Sequence, residues 1–263
     1  MDVPLQVRNL TKNYGTRTGI AAASFEVRPG EIVGLLGPNG CGKSTTLHCI
    51  TDYHSPTSGT VLIAGEPHHE PGAKERLGFL PDDLPLPESL SGRELLMLHA
   101  HLRASLDLAV AYDLFEVFDL LEHLDRYVGD YSHGMKRKLQ LVLALAHRPA
   151  LLVLDEPLRG LDPEAAILTN TVINSFAGSD GGVLLATHDL ADAERTCDSV
   201  VIVNRGSVVA QGAPADLKRA HGAASLEDVF LTLTGIREGL TDKVSRLTST
   251  LHINHPLVLG GTS

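Results

Sequence analysis

The 263-residue chain has no tryptophan, few aromatic residues (4%), three cysteines and no basic excess. Each shortage excludes something. Lys plus Arg number 22 against 32 Asp plus Glu, a formal charge of −10, which argues against non-specific binding to nucleic acid or to anionic lipid. Cys41, Cys49 and Cys197 are odd in number and fit no disulfide or zinc spacing, so a reducing cytosol is expected. Apolar runs fall short of the ~18 residues that span a bilayer. The opening MDVPLQVRNL lacks the charged-then-apolar layout of a signal peptide, so any membrane role is expected to run through a separate protein. With 43% apolar and 21% charged residues, the chain can build a real core.

Hydrophobic patterning divides the chain. Residues 3–9, 24–27 and 60–63 read as strands, and 31–36 as a buried strand entering a Gly-rich turn. Helical spacing follows over 43–50, and 77–80 is a short strand ending at Pro81. Residues 91–103, 107–124 and 132–146 then show apolar positions three and four apart, with Ser91 and Glu94 spaced as a capping box. This places a helical subdomain at 85–147 inside an α/β core. Beyond it come strand 151–155, a helix opening at Pro163, strand 183–187, helix 189–196, and strands 199–204 and 207–211. Strands alternating with helices predict a mostly parallel sheet. From Thr241 the periodicity weakens, and a loosely packed tail is expected.

Two segments carry chemistry. Gly37-Pro38-Asn39-Gly40-Cys41-Gly42-Lys43-Ser44 fits G-x-x-x-x-G-K-[ST] between a strand and a helix. Its glycines let backbone N–H groups converge on phosphate oxygens, and the helix N-terminus adds its positive dipole end. Lys43 is placed to reach the β- and γ-phosphates and the Ser44 hydroxyl to bind Mg²⁺. Four apolar residues, Leu151 to Leu154, put Asp155 at the C-terminal end of a strand, where ligands bind in open α/β sheets. Asp155 there can hold Mg²⁺ through water, and Glu156 can orient or deprotonate a water attacking a γ-phosphate.

With these motifs in order, residues 1–235 resemble the ATP-binding subunit of an ABC transporter. The resemblance implies a P-loop NTPase core with an N-terminal antiparallel β subdomain and an inserted helical subdomain, leaving 236–263 as a tail. It implies that Thr45 joins the phosphate loop in binding ATP and that Tyr14 stacks on adenine. Tyr131-Ser132-His133-Gly134-Met135 stands where the family has LSGGQ, with Ser132 and Gly134 matching, so these two bind the γ-phosphate of ATP held by the other subunit. Gly160-Leu161-Asp162 matches the D-loop that crosses the dimer interface, and His188 the switch histidine that contacts the γ-phosphate. Where the family has Gln after the short strand near residue 80, this chain has Asp82, which offers Mg²⁺ a charged oxygen or serves in coupling to the membrane partner. YSHGMK and Leu226-Glu227-Asp228-Val229-Phe230 resemble exporter ATPases of the drug-resistance type. The implied partners are a second ABC ATPase subunit, identical or different, and an integral membrane permease through which this chain is held at the cytoplasmic face of the membrane.

Two rivals are weighed: a soluble ATP-driven switch on ribosome or DNA, and a phosphotransferase. The first is expected to carry paired ATPase units, coiled coils or zinc sites; the second has no need of Ser132-x-Gly134 or His188. Of the 13 histidines, His68-His69 and the pair His99 and His101 read as solvated or packed residues. Cys41, at a helix N-terminus, is expected to have a lowered thiol pKa, so that alkylation blocks nucleotide binding. Lys136-Arg137-Lys138 reads as a solvated helix face, the alternative being electrostatic help in holding phosphate.

Overall fold

Strand pairing sorts the chain into two sheets. The computed structural model describes residues 2–83, 85–103 and 105–237, together with Lys243 and Thr250. The smaller sheet is antiparallel, in the order β2-β1-β4-β5: β1 (Leu5–Tyr14), β2 (Arg17–Val27), β4 (Ser58–Ile63) and β5 (Glu66–Pro67). The larger runs β10-β9-β3-β8-β7-β6: β3 (Ile32–Leu36), β6 (Leu77–Leu80), β7 (Leu151–Asp155), β8 (Gly182–Ala186), β9 (Ser199–Asn204) and β10 (Ser207–Gly212). All its pairings are parallel except that of β10 with β9.

The near-continuous apolar strands of the larger sheet follow from cover on both faces. In β7, Leu151 and Val153 point toward the smaller sheet and α1 (Lys43–Ile50), joining Leu5, Val7, Leu47 and Ile50 in one core. Leu152 and Leu154 point the other way, into a second core with Leu95, Phe115, Leu139 and Val142. All four β7 side chains are fully buried, each contributing about 1.5–3 kcal/mol relative to exposure.

Between β6 and β7 lie α3 (Gly92–Leu102), α4 (Leu108–Val117) and α5 (His133–Leu145). Ser91 caps α3: its Oγ accepts from the Glu94 N–H at 3.2 Å, and Glu94 accepts from the Ser91 N–H at 2.8 Å, the reciprocal box expected. Ser132 caps α5, accepting from the Met135 N–H. The helix expected over 107–124 stops at Val117. Asp119 takes a left-handed φ of 54°, which breaks the ladder, and a short 3₁₀ turn at Leu121–His123 lets Leu120 and Leu124 reach the core.

Other differences have local causes. The strand expected at 24–27 reaches back to Arg17, because pairing with β1 recruits the small residues Ala21 to Ala23 that lack strand propensity of their own. The strand expected at 3–9 runs on to Tyr14 for the same reason. Helix α2 (Pro71–Glu75) forms in a stretch for which the hydrophobic pattern predicts no element. The remaining helices are α6 (Pro163–Ala177), α7 (Leu190–Thr196), α8 (Pro214–His221) and α9 (Leu226–Thr234). In α9 the motif Leu226 to Phe230 is packing: Leu226, Val229 and Phe230 are buried, and Glu194 of α7 accepts from the Leu226 N–H at 2.8 Å. The tail expected from Thr241, apart from Lys243 and Thr250, lies outside the described residues. Among those described, no helix is long and apolar enough to cross a membrane.

Candidate nucleotide site

Parallel strands deliver their C-terminal ends to one edge, and the strand order makes β3, β8, β7 and β6 consecutive neighbours. The segments leaving these strands therefore converge. They are the Gly37–Ser44 loop, Thr187-His188, Asp155-Glu156 and Pro81-Asp82, four pieces far apart in the chain. A cavity of about 500 Å³ lies there, lined by Tyr14, Arg17, Gly19, Asn39, Gly40, Gly42, Lys43, Ser44, Thr45, His48, Pro81, Asp82, Asp83, Asp155 and Glu156.

Steric need explains the loop's glycines. Gly42 precedes α1 at φ 119°, and a Cβ there would run into the Gly19 carbonyl. A Cβ on Gly37 would strike Cys41 Sγ and the Val203 carbonyl. The backbone N–H groups at the start of α1 have no side-chain cap, leaving them free for an anion. Lys43 is 9% exposed, and its ammonium donates to the Gly37 carbonyl at 2.5 Å, which folds the loop around it.

The acidic side is crowded. Burial first, then the charges of Asp82 and Glu156, push the Asp155 carboxyl up to about 6. An ionised Asp155 therefore wants a cation, and Ser44 and Asp155 line the same cavity. One oxygen of Asp82 is buried without a partner; the other accepts from Arg159 at 2.6 Å. This donor set, a hydroxyl and hard carboxylates, fits Mg²⁺. Glu156 holds a left-handed φ of 49°, with its N–H donating to the Ala186 carbonyl at 2.9 Å. Its Oε1 is 2.8 Å from His188 Nδ1, and the Thr187 hydroxyl donates to Oε2 at 3.4 Å.

Tyr14 is 43% exposed at the rim, meeting His54 edge-on at 5.8 Å between ring centres, with the Lys12 ammonium 5.3 Å from its own ring. A Cβ on Gly19 would come within 3.0 Å of the Tyr14 ring and 2.9 Å of Thr45, so the glycine keeps this wall open. Ser132, Gly134 and Asp162 do not line the cavity. Ser132 and Asp162 cap α5 and α6 instead, Asp162 accepting from the Ala165 N–H at 2.9 Å. Gly134 lies 3.8–3.9 Å, measured from an added Cβ, from Leu161 and the Gly160 carbonyl. Segments 131–135 and 160–162 thus adjoin each other, and neither lines the cavity that the phosphate loop helps form.

Two expectations are corrected here. Cys41 is 4% exposed, and burial raises its thiol pKa, outweighing the nearby Lys43, so the lowered pKa expected at a helix N-terminus does not hold. Nor is 136–138 a solvated face. Arg137 is buried, the Lys136 ammonium donates to Glu88 at 2.7 Å, and Lys138 donates to the Phe118 carbonyl at 3.2 Å. Sequence reasoning also missed Arg17, Gly19 and His48 on the cavity wall. His48 lies one turn after Ser44 on α1, a spacing that could have flagged it.

A Gly-rich loop with a buried lysine, facing a strand-end aspartate and glutamate, defines a P-loop nucleoside triphosphatase. Residues 20–159 match the ABC transporter family. The Nod factor export ATP-binding protein I of Burkholderia orbicola (strain AU 1054) is 38% identical over 232 residues, covering 86% of this chain and 76% of that protein. Its namesake in Cupriavidus metallidurans (strain ATCC 43123 / DSM 2839 / NBRC 102507 / CH34) is 34% identical over 252 residues, covering 94% and 83%. A solved ATP-binding subunit of an ABC transporter superposes with a TM-score of 0.82 at 34% identity, over 88% of this chain and 99% of that one. A bacterial Atm1-family ABC exporter with ATP bound shares the fold, with a TM-score of 0.75 at 22% identity, over 88% and 42%. The chain belongs to the ABC transporter family, as an ATP-binding subunit whose hydrolysis of ATP is coupled to transport.

Proposed function

We propose that the chain powers export, in the manner of drug-resistance-type ATPases, by closing as a head-to-tail dimer around two Mg-ATP. One observation carries this reading: Ser132, Gly134 and Asp162 stand apart from the cavity that holds Lys43, Asp155 and Glu156. A second subunit, of the same or another kind, would supply them. The names of the relatives, which specify Nod factor export, support the outward direction. The cargo is set by a membrane-spanning permease, which holds this subunit at the cytoplasmic face of the membrane.

In this reading the loop from Gly37 to Thr45 wraps the phosphates with its N–H groups, and Tyr14 stacks on the base. On ATP binding, Lys43 exchanges the Gly37 carbonyl for phosphate oxygens. Ser44 and Asp155 would hold Mg²⁺, which offsets charge developing on the phosphoryl group. Glu156 orients the attacking water and draws its proton, and His188 moves from Glu156 to the γ-phosphate. Binding closes the dimer, and charge repulsion after hydrolysis opens it.

The test is dimerisation of the Glu156→Gln protein, followed by size-exclusion chromatography with light scattering. ATP with Mg²⁺ should convert it from monomer to dimer, and Ser132→Arg in the same chain should prevent this. A monomer that binds ATP and stays a monomer at every ATP concentration would overturn the clamp.

A further inference from the structure

Arg137 lies one turn beyond the Ser132 cap of α5 and is 4% exposed. Its guanidinium donates to backbone carbonyls on two separate segments. Nη1 donates to Pro81 and, at 3.4 Å, to Asp82; Nη2 donates to Asp155 and, at 2.8 Å, to Glu156. Pro81-Asp82 is where the chain leaves β6 for the helical insert, and Asp155-Glu156 is where it leaves β7 after returning. One side chain from the insert therefore pins both strand ends of the core that carry acidic residues.

Burying a cation is costly, and desolvation lowers the proton affinity of this guanidinium, while Asp82, Asp155 and Glu156 oppose that effect. Arg137 does not line the nucleotide cavity, so binding substrate is not what the cost serves. Glu156 supplies a reason. Its left-handed φ of 49° is strained for a non-glycine residue and persists only where neighbours enforce it. The Ala186 carbonyl holds its N–H, and Arg137 holds its C=O.

We propose that Arg137 is a positioning residue for hydrolysis: it fastens the helix headed by Ser132 to the carbonyls of Pro81, Asp155 and Glu156, so that the direction of the Glu156 carboxylate follows the helical insert. The proposal rests on Glu156 acting on the attacking water. The planar fork matters, because it bridges two segments at once; a lysine ammonium, a point donor on a flexible stem, keeps the charge and loses the bridge. In the closed dimer, engagement of Ser132 by the neighbouring nucleotide then reaches the carboxylates of the same chain through one residue.

The experiment compares Arg137→Lys and Arg137→Met with the parent, as full chains, by phosphate release from Mg-ATP, equilibrium binding of trinitrophenyl-ATP and thermal unfolding. We expect kcat to fall about 10–100-fold in both, the cost of misplacing a reacting group by about 1 Å, while analogue affinity changes by less than about threefold. Arg137→Lys with kcat within about twofold of the parent would overturn the proposal, as would kcat and affinity falling together. If Arg137→Met fails to fold, Arg137→Lys decides. A parent that releases no phosphate, or one matched by its Lys43→Ala variant, would instead count against the ATPase site itself.

Discussion

The guanidinium of Arg159 lies 2.6 Å from the carboxylate of Asp82 and ties the segment leaving β6 to the loop between β7 and α6. Asp82, which the resemblance sets at the position of a neutral Gln, is by its charge one of the causes holding Asp155 above the ordinary carboxylate range. Arg159 supplies the compensating charge, and Asp82 in turn raises the guanidinium pKa. The loop that leads to Gly160 and Asp162 is thereby linked to the acidic cluster.

Removing Arg159 leaves the cluster of Asp82, Asp155 and Glu156 more negative, and removing the Asp82 charge does the reverse. Arg159→Gln should lower the Mg²⁺ concentration for half-maximal ATPase activity, and Asp82→Gln should raise it. Each shift should be roughly two- to fivefold, the size a part-solvated charge at a few ångströms produces. The double variant should return close to the parent. A Mg²⁺ titration that leaves both single variants unmoved would show that the pair has no bearing on the cation.

The phosphate loop and Asp155-Glu156 were legible in the sequence because each combines a strand pattern with residues whose chemistry has few other uses. The strand order that brings β3, β8, β7 and β6 together is a long-range property, and no local period reports it. Arg137 was misread because three basic residues in a row suggest solvent. Its position four before Leu141 and seven before Ala144, both buried, put it on the apolar stripe. Cys41 was misread for a related reason: a helix N-terminus lowers a thiol pKa only where the sulfur meets the dipole in the open, and here the sulfur is packed inside the loop.

That packing makes a thiol prediction. Cys41, Cys49 and Cys197 are all buried, and burial raises each pKa, that of Cys197 to about 12. With 5,5′-dithiobis(2-nitrobenzoate) at neutral pH, the folded protein should react slowly at all three sites, with or without Mg-ATP, and titrate all three thiols in concentrated urea. A fast reaction at Cys41 that Mg-ATP suppresses would restore the exposed-thiolate reading.

A pH effect on stability follows from His147, at the end of the insert. It is 4% exposed, and burial first, then Arg103, lowers its pKa to about 4. His147 Nε2 lies 2.9 Å from the Arg103 guanidinium and 3.0 Å from the Leu77 carbonyl, so a proton taken up by the ring adds a second cation beside Arg103, an effect that outweighs the carbonyl. Above the unfolded value of 6.5, both folded and unfolded states keep His147 neutral. As pH falls from 6.5 toward 4, only the unfolded chain takes up this proton, and stability is lost by at most about 1.4 kcal/mol per pH unit. Urea denaturation between pH 7 and pH 4 should give a shallower acid slope for His147→Gln, which keeps an acceptor for Arg103 and cannot titrate. Equal slopes would remove His147 as a source of acid lability.

His188 and Glu156 carry the last prediction. In this structure Glu156 Oε1 meets His188 Nδ1 at 2.8 Å, and Oε2 accepts from Thr187 at 3.4 Å, so both oxygens have partners. His188 is largely exposed and can swing, whereas Glu156 is mostly enclosed and held by its backbone. In the proposed mechanism a γ-phosphate competes for the histidine and frees the carboxylate to take a water, so the two residues would act as a unit and their losses should not multiply. His188→Ala and Glu156→Gln should each lower kcat by about 10²–10³-fold while retaining ATP binding, and the double variant should fall no further than the slower single one. Single-turnover phosphate release from the three variants measures this directly. A double variant slower by the product of the two losses would mean that His188 and Glu156 work independently, and that their contact is a resting pose without a part in the reaction.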